Sequence, residues 1–292
     1  MKRIAAITML RHDEDFLRKW VSYYGEELGR NNLYVFLDGT DQRIPDFCDG
    51  IHIKAVERIA GNVREGDKGR IAYLSKVAKG LFEQGYDMVI GTDVDEFLIP
   101  DPNCQKGLAA FLSQAWEQSQ KRACPYTSFS GLGIDIGQKL GIEKSIDFAR
   151  PLLSQRSYAK LSTRYTKASV LIRPASGKTP PQWGSGFHRV RGHNFHIIKD
   201  LYLFHFGSLD LDRIRQRMEK TDLVAKGWGR HFSKRTKTIT LVSERKPCPW
   251  EKAVGFARCC QAWIRPPYAW NKPAMFELKI VVQIPERFCG II

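Results

Sequence analysis

The chain has 292 residues, 43% of them hydrophobic and 7 of them tryptophan, enough for one large domain with an appendage and too apolar for a disordered protein. No apolar run reaches the roughly 18 residues that span a bilayer. The net charge of +15 is uneven: residues 1–150 hold 20 Lys+Arg and 22 Asp+Glu, residues 151–292 hold 26 and 9. A balanced half, able to bind a cation, is therefore joined to a strongly basic half that should attract an anion.

The opening run Ile4 to Leu10 ends at once in Arg11-His12-Asp13-Glu14-Asp15 with no small-residue cleavage site, so a strand is expected, not a leader. Asp13 can cap a helix over residues 14–27, where Phe16, Leu17, Trp20, Val21 and Tyr24 recur at helical spacing. Strands follow over residues 32–37 and 50–56, the first stopped by Asp38-Gly39-Thr40-Asp41. A helix over residues 70–84 closes at Gly85, and a short strand over 87–91 runs into Asp93. Alternation of strand and helix predicts an α/β fold with a mostly parallel central sheet and helices on both faces. Ligands of such sheets bind beyond the carboxyl ends of the strands, where Asp38 and Asp93 both fall.

After Pro100-Asp101-Pro102 a helix is expected over residues 106–120, strands over 125–129 and 169–173, and a glycine-rich loop over 131–141. An apolar strand over 201–206 precedes a basic helix over 211–226. Pro247, Pro249, Pro266, Pro267 and Pro273 among the aromatics of the last sixty residues suggest an irregular extension. The expected division is a catalytic domain over 1–225, with a nucleotide-sugar half (1–100) and an acceptor half (101–225), followed by a basic extension over 226–292. Seven scattered cysteines form no CxxC pair and no zinc spacing, as in a cytoplasmic protein with reduced thiols.

Asp93-Val94-Asp95-Glu96 puts three carboxylates within four residues of a buried strand. That is costly unless a cation or hydrogen-bond donors compensate. Hard oxygen ligands suit Mg²⁺ or Mn²⁺ shared with substrate phosphates. Period-two spacing would aim Asp93 and Asp95 to one side and Val94 into the core. Lys68 and Arg70, ahead of the expected helix, are candidates for phosphate at its N-terminus. Asp135 is the favoured general base over Glu143 and Asp147, its flanking glycines allowing close approach.

The segment Asp87 to Leu98, D-M-V-I-G-T-D-V-D-E-F-L, resembles the metal-binding strand of the family 2-like glycosyltransferases with a GT-A fold. Residues 9–24 resemble that family's first βα unit, with His12 where the usual motif has Asn, and Leu37-Asp38-Gly39-Thr40-Asp41 resembles its D-G-S-x-D turn. The likeness covers residues 3–100 and, more loosely, 165–215. It implies an inverting glycosyltransferase of polysaccharide biosynthesis, with a nucleoside-diphosphate sugar (a UDP-sugar first) as donor and a glycan or lipid-linked acceptor. It also implies that Asp38 and Asp93 contact the nucleotide, that Asp93, Asp95 and His205 hold the metal, and that His188 lies near the sugar. The basic half is compatible with peripheral contact at an anionic membrane. Two other classes stay open: a nucleotidyltransferase of similar fold, and a nucleic-acid-binding module, for which no helix-turn-helix, zinc finger or RNP-like run speaks.

Overall fold

The structure is a computed structural model, described here for all residues except 60, 62, 185, 192–194, 220–228 and 264–275. Four parallel strands form the first half of the sheet: β1 (Ile4–Leu10), β2 (Leu33–Asp38), β3 (His52–Val56) and β4 (Met88–Gly91), in the order β3-β2-β1-β4. Order reverses between β1 and β4, which opens a crevice at their carboxyl ends. Every residue of β1 is buried. Ile4, Ala6 and Leu10 face one core while Ala5, Ile7 and Met9 face the other, which is why the strand reads as a continuous apolar run.

The helix α1 (Glu14–Leu28) covers the first core, and α2 (Val63–Glu83) the second. Their amphipathic spacing was legible, but two local expectations change. Asp13 makes no side-chain cap bond; its carboxylate instead pairs with Arg213, at 2.7 Å, and Arg217. Helix α2 begins at Val63, so Lys68 and Arg70 lie in its second turn and not ahead of its N-terminus.

Strands β5 (Glu96–Pro100), β6 (Ser128–Gly137), β7 (Tyr158–Leu161), β8 (Val170–Ile172) and β11 (Ile197–Ser208) build the second half. Antiparallel β8 joins β4 to β6, while β11 lies between β5 (antiparallel) and β6 (parallel). A separate small ribbon pairs β9 (Gln182–Gly184) with β10 (Arg189–Arg191). The expected glycine-rich loop is thus the buried strand β6. Its glycines serve close packing: a Cβ on Gly131 would lie 2.8 Å from the Leu203 nitrogen, and one on Gly133 would run into the Ser162 carbonyl and the Thr166 nitrogen.

Helices α3 (Leu108–Gln120) and α4 (Leu211–Met218) follow expectation, although the end of the basic helix, 220–226, lies outside the described residues. The extension is more regular than its prolines suggest. It holds α5 (Gly229–Glu244), α6 (Trp250–Trp263) and β12 (Val281–Gln283), the last adding an edge strand to β7. Pro247, Pro249 and Pro285 flank these elements, where their missing N–H costs no ladder bond, and Pro266, Pro267 and Pro273 lie outside the described residues. Among the described residues no helix is long and apolar enough to cross a membrane.

Candidate active site

Three neighbouring strands assemble the polar centre by register alone: His205 of β11 stands opposite Glu96 of β5 and opposite Asp135 of β6. Helix α1 fixes the approach to it. Trp20 Nε1 donates to Thr92 Oγ1 at 3.0 Å, Tyr23 Oη donates to the Leu98 carbonyl at 2.8 Å, and Tyr24 Oη accepts from the Leu98 N–H at 2.9 Å. These bonds clamp the segment on both sides of Asp93-Val94-Asp95.

That triplet is a turn, closed by the Glu96 N–H donating to the Asp93 carbonyl at 3.0 Å. Val94 is buried as expected. The two aspartates do not point to one side, because a turn lacks the period-two alternation of a strand. Asp93 accepts from Arg70 and, at 2.7 Å, from Lys167 Nζ. Asp95 Oδ2 lies 3.3 Å from Arg235 of α5 and 3.6 Å from His205 Nε2. Lys167 also meets Glu96 Oε1 at 2.6 Å, and Glu96 is 0% exposed.

Burial works against the charge on Asp93, but Arg70 and Lys167 outweigh it and hold its carboxyl far below the usual range. Burial pushes Glu96 up to about 7, with Lys167 pulling back and Asp93 pushing further. Lys167 is desolvated too, yet Asp93 and Glu96 keep it firmly cationic. Of the two carboxylates that share Lys167, Asp93 is thus held down and Glu96 pushed up.

Asp135 departs from the role expected of a general base. It is 3% exposed; Oδ1 lies 2.7 Å from His205 Nδ1 and Oδ2 accepts from Thr238 Oγ1 at 2.9 Å. Both of its oxygens are engaged within the protein, by His205 and Thr238. It orients the imidazole, which Tyr165 also holds by stacking at 3.5 Å between centroids.

The other candidates scatter. Arg70 is spent on Asp93 and, at 2.9 Å, on Asp67. Lys68 is exposed and makes none of these contacts among the described residues. Asp38, at the end of β2, accepts the Ile59 N–H at 2.8 Å, and its carbonyl accepts from Arg11, which also grips Asp41. A small cleft beside it is lined by Leu10, His12, Asp13, Leu17, Asp41 and Gln42. His188 sits in the turn after β9, its Nδ1 without a hydrogen-bond partner among the described residues, and burial with the charge of Lys167 pushes its ring down to about 3. The neighbouring Phe187 ring covers both Arg70, at 5.6 Å, and Lys167, at 5.8 Å.

Asp95 and His205 could supply two ligands of a divalent cation. If Nδ1 of His205 carries its proton toward Asp135, Nε2 presents a lone pair toward the Asp95 carboxylate 3.6 Å away. Adjacent ligands on an ion with bonds of about 2.1 Å stand about 3 Å apart, so a small closure would suffice. Arg70, Lys167 and Arg235 already meet Asp93, Glu96 and Asp95, so a cation there would share Asp95 with Arg235. Among the described residues no group of three metal-binding side chains forms, so phosphate and water would complete the shell.

Lys167, Arg235, Tyr165 and Thr238 were not singled out from sequence. Lys167, a lone lysine next to the apolar run 168–172, carried a signal. Arg235 is one of several cations in a basic segment and carried none.

No protein-family model and no curated protein matches the chain. Among solved structures it is similar to a mannose-1-phosphate geranyltransferase from Thermus thermophilus: 10% identity, TM-score 0.27, 97% of this chain and 74% of that one. It is also similar to a putative glucose-1-phosphate thymidylyltransferase from Bacillus anthracis: 8% identity, TM-score 0.28, 83% of this chain and 96% of that one. Likeness this weak says nothing of chemistry.

Proposed function

We propose that the chain is a glycosyltransferase that moves a sugar from a nucleoside-diphosphate sugar, a UDP-sugar first, to a hydroxyl acceptor. One observation carries this: a carboxylate turn, Asp93-Val94-Asp95, lies at the carboxyl end of β4 beside the point where strand order reverses, with the Asp135-braced His205 facing Asp95. Asp95 and His205 would hold Mn²⁺ or Mg²⁺, and a mixed oxygen and imidazole pair favours Mn²⁺. The cation would neutralise charge growing on the departing diphosphate. Asp93 holds Arg70 and Lys167 in place as further positive charge, and Asp135 orients His205. The Arg11–Asp41 pair shapes the loop beyond β2, where the nucleoside would lie near Asp38.

The experiment is UDP binding by thermal shift, with and without Mn²⁺. UDP at 100 times its dissociation constant should stabilise the wild type by about 2.7 kcal/mol. Asp95→Ala should abolish the Mn²⁺-dependent part while the protein stays folded. Unchanged UDP affinity in folded Asp95→Ala, or turnover of a sugar 1-phosphate with a nucleoside triphosphate, would overturn the proposal.

A further inference from the structure

Helix α5 carries Arg230, Lys234 and Lys237 at i, i+4 and i+7, one exposed stripe along its first half. Arg164, exposed in the segment between β7 and β8, adds its charge to the same place. Burial, then Arg164, Arg230 and Lys237 together, lower Lys234 below the ordinary lysine range. The ring of His231 is likewise pushed down by burial and then by Arg235, Lys234 and Arg164. Among the described residues, of Arg230, Lys234, Arg235 and Lys237 only Arg235 is in an ion pair, with Asp95. Glu277, the acid near Arg164 and Lys234, is already bonded to Lys160 at 2.5 Å.

Arg230 lies in the first turn, where the helix dipole is itself positive, and the four like charges repel one another. Solubility does not require such crowding. The stripe also borders the carboxylate centre. Arg235, next to Lys234, reaches Asp95; Tyr165, next to Arg164, stacks on His205. On the other side, Asp67, the partner of Arg70, lies within electrostatic reach of His231.

We propose that Arg164, Arg230, Lys234 and Lys237 bind a phosphate or carboxylate group carried by the acceptor, so that the second substrate is an anionic molecule and not a neutral glycan. The word acceptor rests on the transferase proposal above; anion binding at this place does not. Unlike a bulk effect of net charge, the site is local, on the helix whose Arg235 reaches Asp95.

The test uses the full chain saturated with UDP and Mn²⁺, so that a diphosphate cannot be the competing occupant. The probes are a poly(glycerol phosphate) oligomer, a neutral polyglycerol of equal length, and vesicles of phosphatidylcholine with or without phosphatidylglycerol. The wild type should bind the charged oligomer and not the neutral one, and binding should weaken as salt rises to about 0.2 M. Arg164→Gln/Lys234→Gln/Lys237→Gln, all at exposed positions, should lower oligomer affinity about tenfold or more and leave UDP affinity unchanged. Oligomer binding alone assigns a soluble acceptor, and binding of oligomer and anionic vesicles together assigns a lipid-carried one. Equal oligomer affinity in the variant, parallel loss of UDP affinity, or binding to vesicles alone overturns the proposal. If UDP does not bind at all, the transferase reading fails, and the oligomer measurement without UDP still judges the anion site.

Discussion

Replacing Lys167 with Met should be among the most damaging single changes in this chain. The lysine side chain is 4% exposed, and its ammonium lies 2.7 Å from Asp93 and 2.6 Å from Glu96. Asp93 retains Arg70 in the variant, but no other cation is within ion-pair distance of Glu96 among the described residues. Removing one partner of a buried pair typically costs about 3–5 kcal/mol, because Glu96 is left either charged without a counter-ion or forced to take up a proton. At roughly 2–4 °C per kcal/mol for a chain of this size, the melting temperature should fall by about 6–20 °C. The exposed pair Lys79–Glu83, with side chains 58% and 68% exposed, is the control. Lys79→Met should cost less than about 0.5 kcal/mol, since water already screens that pair. Urea denaturation with comparison of m-values separates lost stability from altered compactness. Adding Glu96→Gln to Lys167→Met removes the orphaned charge and should return most of the loss. A Lys167→Met protein within about 1 kcal/mol of wild type at unchanged m would refute the claim that this lysine is the counter-ion of the cluster.

Two further outcomes follow from the same geometry. Asp135→Asn removes the charge behind His205 without changing its size, and should weaken Mn²⁺ binding in the presence of UDP about 10–100-fold; equal Mn²⁺ affinity by electron paramagnetic resonance would remove Asp135 from the site. Gly133→Ala places a methyl against the backbone of Ser162, Tyr165 and Thr166, and should cost about 1–3 kcal/mol; an unchanged urea midpoint would contradict the close approach of that segment to β6.

His12 shows how a single position links sequence and conformation. It adopts φ 50, in the left-handed region, where the resembled motif has Asn. His is among the few non-glycine residues that tolerate this region.

The sequence by itself determined the first half of the fold and the place of the carboxylates. In residues 1–100 strands β1, β4 and β5 are buried throughout, β2 nearly so and the edge strand β3 only in part, and each helix buries one face, so local periodicity and long-range packing demand the same pattern. The turn chemistry at Asp38 and the acidic run at Asp93 then mark strand ends without help from distant residues. Tertiary structure alone decided how those carboxylates are used. Lys167 reaches Asp93 across 74 residues, His205 meets Asp135 across 70, and Arg235 meets Asp95 across 140. Such pairs depend on strand register and on where α5 docks, and neither leaves a periodic trace in the chain. Glycines 131 and 133 misled for the same reason: out of context they signal a loop, whereas here they let neighbouring backbone close in on a buried strand. Asp135 therefore lies in the wall behind His205, where only the pairing of β6 with β11 could put it.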